Sequence, residues 1–91
     1  MDVKMKNDMK GKKQQKILIE RINNLCKEKG ISHYALARKS DVPLGTLLHI
    51  LDGTTKNPGI FTILKLCDGF DMTIAEFFET EEMENLQKDV E

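Results

Sequence analysis

Apolar residues recur along the chain at helical spacing, and no segment sustains the alternation of a strand. Leu18, Ile22, Leu25 and Cys26 stand at i, i+4, i+7 and i+8, one stripe of a first helix. Lys27 and Lys29 fall in its last turn, and Gly30 is placed to take a left-handed cap. Ser32 suits the N-cap of a short second helix through Tyr34, Ala35, Leu36 and Ala37, which Ser40-Asp41-Val42-Pro43 then interrupts. Pro43 is tolerated in the first turn of a third helix. That helix carries Leu44, Leu47, Leu48, Ile50 and Leu51 and stops at Asp52-Gly53. Residues 52–59 (DGTTKNPG) form a polar loop rich in helix breakers. A fourth helix carries Ile60, Ile63, Leu64, Leu66, Cys67 and Phe70. Thr73 and Glu76 match a capping box opening a short fifth helix with Phe77 and Phe78.

Five short helices with short connections predict a compact all-α domain over residues 14–79. Residues 1–13 read as a flexible basic arm carrying Lys4, Lys6, Lys10 and Lys12. Residues 80–91 read as an acidic tail or as an extension of the fifth helix. Met83, Leu86 and Val90 recur there at i, i+3 and i+7, so this segment with Phe77 and Phe78 is the candidate dimer surface.

Charge sharpens that division. The 91 residues hold 14 basic and 15 acidic side chains, a net of −1. Residues 1–39 carry 11 basic and 4 acidic groups (+7), residues 40–75 carry 2 and 4 (−2), and residues 76–91 carry 1 and 7 (−6). The near-zero total hides a basic front and an acidic end. No apolar run approaches the roughly 18 residues of a membrane span, and no apolar segment follows the N-terminal lysines as in a secretory signal. Cys26 and Cys67 form no CxxC or metal-ligand spacing and lie on apolar stripes, which suits reduced buried thiols in a cytoplasm. There is no nucleophile elbow, P-loop, zinc spacing or carboxylate pair, so neither an enzyme, a metal nor a cofactor is expected.

The informative stretch is Ser32–Gly53. Two short helices separated by about three residues must cross steeply. Ala37 is small where they approach, and Leu36, Val42, Leu47 and Ile50 are apolar where the pair buries its inner side. With Gly30-Ile31-Ser32, Thr46, Gly53, Lys56-Asn57-Pro58, residues 62–67 (TILKLC) and residues 74–78 (IAEFF), this pattern resembles the helix-turn-helix domain of the phage Cro and repressor type, the xenobiotic-response-element family. The resemblance covers about residues 16–78 and implies a lambda-repressor-like five-helix fold. It implies a bacterial or phage cytoplasmic regulator, a repressor and homodimer binding a palindromic duplex operator, with helix 3 in the major groove.

Carried over by position, Pro43, Leu44, Gly45, Thr46 and His49 fall at the duplex, and His33, Lys56 and Asn57 fall where phosphates are held. Three departures stand out. Asp41 occupies the turn position usually filled by Gly, where a positive φ is needed and Asp is tolerated. His33 replaces a frequent Gln. Helix 3 contains no Lys or Arg. A second reading of that cation-free helix is a protein-interaction module that keeps the fold without reading DNA.

Overall fold

The helical stripes converge on one core in the computed structural model, which describes the backbone of residues 2–88 and the side chains of residues 13–87. The elements are α1 (Asp2–Lys29), α2 (His33–Ser40), α3 (Leu44–Leu51), α4 (Ile60–Gly69), α5 (Ile74–Phe77) and α6 (Glu81–Lys88). There is no strand among the described residues. Ile22, Leu36, Leu47, Leu66 and Phe77 are fully buried, with Phe70 and Cys67 nearly so. α2 packs on α4 and α3, α4 on α5, and α6 along α1.

Local chemistry sets the helix ends. Gly30 has φ +65°, and the Ile31 N–H donates to the Cys26 carbonyl at 3.0 Å, closing a Schellman motif. α2 ends the same way on Asp41 (φ 57°), with the Val42 N–H on the Ala37 carbonyl at 3.0 Å. α4 repeats it on Asp71 (φ 59°), with the Met72 N–H on the Cys67 carbonyl at 3.0 Å. The Ser32 hydroxyl accepts from the Ala35 N–H at 3.0 Å, the predicted N-cap. Pro43 is the N-cap of α3 and stands just before its first turn rather than in it.

Asp41 therefore sits in the conformation expected of it, at a cost that Gly avoids. Asp41→Gly is expected to leave the fold intact and to raise stability by up to about 1 kcal/mol, because the relief of the left-handed backbone exceeds the extra unfolded-chain entropy of Gly. Urea unfolding with an unchanged slope checks this, and a lower midpoint would contradict it.

Thr73 and Glu76 form the predicted capping box. The Thr73 N–H donates to Glu76 Oε1 at 2.8 Å, and the Glu76 N–H donates to Thr73 Oγ1 at 3.1 Å. Backbone and hydroxyl hydrogen bonds from Thr73 hold the Glu76 carboxyl below its usual range. A lowered folded value means that this contribution is present above the ordinary carboxylate range and is lost as pH falls through the lowered value. Glu76→Gln, which keeps an acceptor but does not titrate, should give a flatter loss of stability between about pH 5 and 3 than the parent chain. Thermal unfolding across that window measures it, and parallel curves would speak against the cap as the source.

Three features differ from the sequence expectations. First, α1 begins at Asp2, not near residue 14. Residues 2–12 contain no Pro and a single Gly, and extending an existing helix needs no new nucleus. The side chains of Lys4, Lys6, Lys10 and Lys12 lie outside the described residues.

Second, there are six helices among the described residues. The C-terminal segment is not an extension of α5: Thr80 starts a new helix, its hydroxyl accepting from the Met83 N–H at 3.2 Å and its carbonyl from the Glu84 N–H at 3.0 Å. Gln14 Nε2 on α1 donates to the Leu86 carbonyl at 2.8 Å, seating that helix.

Third, Phe77 (0 % exposed) and Met83 (3 %) belong to the core of a single chain. They have no surface to offer a second copy, because α5 and α6 turn their apolar sides inward. Leu86 is half-buried against the same core, and Phe78 keeps some exposure. Val90 lies outside the described residues.

Cys26 and Cys67 are free and buried, as their apolar stripes predict. Burial pushes both thiols up, and Asp68 adds to the effect at Cys67.

Candidate nucleic-acid interface

α3 divides cleanly into two sides. Leu47 and Ile50 are buried, while Leu44, Gly45, Thr46, Leu48 and His49 are exposed. The inward pair follows from helical spacing: Leu47 and Ile50 are three apart on the stripe that meets the core. The outward side is apolar and weakly polar, with no Lys or Arg on the helix. Pro43 is exposed and supplies no side-chain cap. Thr46 is exposed, so it does not pack inside the fold. Gly45 has open space where a Cβ would stand and no positive φ, so neither the fold nor the backbone requires glycine there.

α2 is set beside α3 by the turn at Asp41–Pro43. Its first residue, His33, is half-buried, with Nε2 2.8 Å from Asn23 Oδ1 on α1. An amide oxygen only accepts, so Nε2 carries the proton in this contact. The bond fixes the ring at the start of α2, where backbone N–H groups are free.

The loop after α3 carries Lys56 and Asn57, both exposed. It is held at several points. Asp52 Oδ1 accepts from the Thr54 N–H at 2.8 Å, and the Thr55 N–H donates to the His49 carbonyl at 3.0 Å. Hydrogen bonds from Thr54 keep the Asp52 carboxyl below its usual range. From α1, Gln15 Nε2 donates to the Gly53 carbonyl at 3.0 Å and reaches the Thr55 carbonyl at 3.4 Å. Gly53 takes φ +86°, which a side chain would strain. The loop with Lys56 and Asn57 is thus tied to the end of α3 and to α1.

Sequence reasoning missed these supports. Gln15 and Asn23 read as ordinary polar positions of α1. Gln15 bonds only to backbone carbonyls, which leave no mark in a pattern of side chains. Arg21 likewise donates to the Phe77 carbonyl at 2.8 Å and the Glu76 carbonyl at 3.0 Å, with its guanidinium 5.6 Å from the centre of the Phe77 ring. It adds a donor to carbonyls at the end of α5, of which the Glu76 carbonyl also accepts from the Glu79 N–H at 3.3 Å.

Positive charge lies on other elements than α3. Arg38 and Lys39 close α2, Lys27 and Lys29 close α1, and Lys56 lies in the loop. Among the described residues no group of three or more His, Cys, Asp or Glu side chains is placed to hold a metal ion. Among them, too, no helix is long and apolar enough to cross a membrane.

Two short helices crossing through a three-residue turn, the second with one side in the core and the other in solvent, make a helix-turn-helix unit. A family model for the Cro/C1-type HTH DNA-binding domain matches residues 21–82. The chain belongs to the Cro/C1-type helix-turn-helix family. No curated protein and no solved structure matches it.

Membership confirms the resemblance drawn from Ser32–Gly53 and its flanks, and makes this a DNA-binding domain of a regulatory family. The Cro/C1-type match runs from inside α1 through α5 into the first turn of α6. It takes in His33, the whole of α3 and the Lys56-Asn57 loop. The all-α architecture of the described residues is consistent with a Cro/C1-type fold.

Proposed function

We propose that the domain is a transcriptional regulator that reads a specific duplex site with α3 in the major groove and represses by occupying it. The observation that carries this reading is the two-sided α3. Leu47 and Ile50 anchor it, and Leu44, Gly45, Thr46 and His49 face outward, free to meet a duplex. Leu44 offers apolar contact to a thymine methyl, and His49 donates to or accepts from a purine edge. Thr46 supplies a hydroxyl for a phosphate, and Pro43 lies beside it at the start of the helix. His33, Lys56 and Asn57 hold phosphates on either side. The N-terminal lysines add counterion release, and Glu81, Glu82 and Glu84 in the first turn of α6 oppose it.

Eight residues of one helix read few base pairs, so a homodimer on a palindromic operator, with recognition helices about 34 Å apart, is the assembly that fits. With Phe77 and Met83 in the core, the surface for a second copy is Phe78 with Ile60 (53 % exposed), next to the half-buried Leu86. Such a regulator works in a bacterial or phage cytoplasm, on the nucleoid.

Fluorescence-anisotropy titration against duplexes selected from a random library, at several salt concentrations, tests the reading. Each neutralised phosphate should steepen log K against log salt by about −0.9, and selected sites should be two-fold symmetric. A flat salt response with no selected sequence would reject it. Gly45→Ala gives an independent sign. It should stabilise the helix by roughly 0.5 kcal/mol yet weaken operator binding, because the methyl group fills the space left for the duplex.

The exposed Leu44 and Leu48 on a helix without cations favour the second reading, a protein-interaction module. Under it, Leu44→Asp and Leu48→Asp abolish a protein complex and no duplex binds tightly.

A further inference from the structure

Beside the reading side of α3 lies a shallow cleft of about 450 Å³ between α2 and the turn. Tyr34 and Arg38 form one wall, and Pro43 and Leu44 form the other, with Ala37 and Val42 beneath. Tyr34 and Arg38 are four residues apart, so they stack on one face of α2. The guanidinium carbon of Arg38 lies 5.8 Å from the centre of the Tyr34 ring, within cation–π range, and Nη1 donates to the Tyr34 hydroxyl at 3.5 Å. Tyr34 is 57 % exposed, a large aromatic surface that the core does not use. Its contact with Arg38 narrows the range of a long, flexible side chain.

Three properties of the cleft point the same way. Arg38 is the one cation among its lining residues, and α3 itself has none. The other wall, Pro43 and Leu44, is apolar and lies at the N-terminal end of α3. A planar guanidinium beside an apolar wall suits a phosphate and the sugar carbons attached to it. We propose that Arg38, oriented by Tyr34, contacts a backbone phosphate of the bound duplex at the N-terminal end of α3, in addition to His33, Lys56 and Asn57. This assignment rests on the DNA reading proposed above. Tyr34 is a positioning residue, acting through Arg38. Asp41 contributes the one acidic side chain to the rim and opposes the contact.

The test is salt-dependent anisotropy of the full chain and its variants on the selected operator and on an unrelated duplex. Arg38→Ala should lower the salt slope by about 0.9 and weaken both duplexes by the same factor, since a phosphate contact carries no sequence information. Arg38→Lys should keep the slope. Tyr34→Phe should bind nearly as the parent does, and Tyr34→Ala should bind about two- to fivefold more weakly, the worth of an exposed cation–π pair. Asp41→Asn should bind more tightly. Arg38 is exposed, so unfolding midpoints should stay unchanged, which separates the contact from a loss of fold. An unchanged slope for a folded Arg38→Ala overturns the proposal. So does a loss confined to one base pair of the operator, which would make Arg38 a base reader. If the parent chain binds no duplex at all, it is the DNA reading that has failed.

Discussion

Leu47→Ala is expected to remove most of the stability of this domain, while Leu48→Ala next to it should change stability by less than about 0.5 kcal/mol. Leu47 is fully buried on α3, and Leu48 is 42 % exposed. Truncating a fully buried leucine costs about 2–5 kcal/mol, from lost transfer energy plus the cavity left behind. Small domains stand only about 5–15 kcal/mol above the unfolded state, and short chains sit at the low end. Leu47 also holds α3 against the rest of the fold, so the loss falls on the element that carries Leu44, Thr46 and His49. The expected result is a urea midpoint shifted far down for Leu47→Ala, with duplex binding lost in proportion to the folded fraction. Leu48→Ala should keep the parental midpoint, so any change in binding would belong to the interface. Equal destabilisation by the two substitutions would mean that α3 is rotated from the orientation described.

That contrast also marks what the residue pattern can and cannot tell. The inward positions of α3 were legible because Leu47 and Ile50 share the 3.6-residue period with the rest of the core. The caps at Gly30, Ser32 and Thr73–Glu76 and the left-handed Asp41 were legible because each is decided by neighbours within four residues. The core role of Phe77 and Met83 was not. A short apolar stripe among glutamates serves equally for packing within one chain or between two, and only the long-range path of the chain decides. The same holds for Gln15, Asn23 and Arg21. They fix the loop, His33 and α5 through partners 10 to 56 residues away. Tyr34 and Arg38 were the opposite case: their four-residue spacing was readable, but the cleft they share with Leu44 exists only once α2 and α3 cross.

A tight contact between α2 and α4 supplies the second large effect. Ser40 and Gly69 meet there, and a Cβ on Gly69 would run into the Ser40 hydroxyl and lie 3.1 Å from both Ser40 Cβ and Leu36 Cδ1. The Ser40 oxygen is buried with no hydrogen-bond partner. An unpaired buried hydroxyl is unfavourable by about 1–3 kcal/mol, so Ser40→Ala alone should stabilise the fold by around 1 kcal/mol. Gly69→Ala improves helix propensity by up to about 1 kcal/mol, but overpacking against the Ser40 hydroxyl costs about 1–3 kcal/mol. A net loss is expected. The two changes should not add: with Ser40→Ala in place the hydroxyl is gone, and most of the penalty of Gly69→Ala should go with it. A double-mutant cycle in urea should therefore give a favourable coupling of about 0.5–3 kcal/mol. Strict additivity would show that the two helices can move apart at this point without penalty. The spacing between α2 and α4 would then be set by the large side chains around Leu36 and Leu66 rather than by the small residues between them.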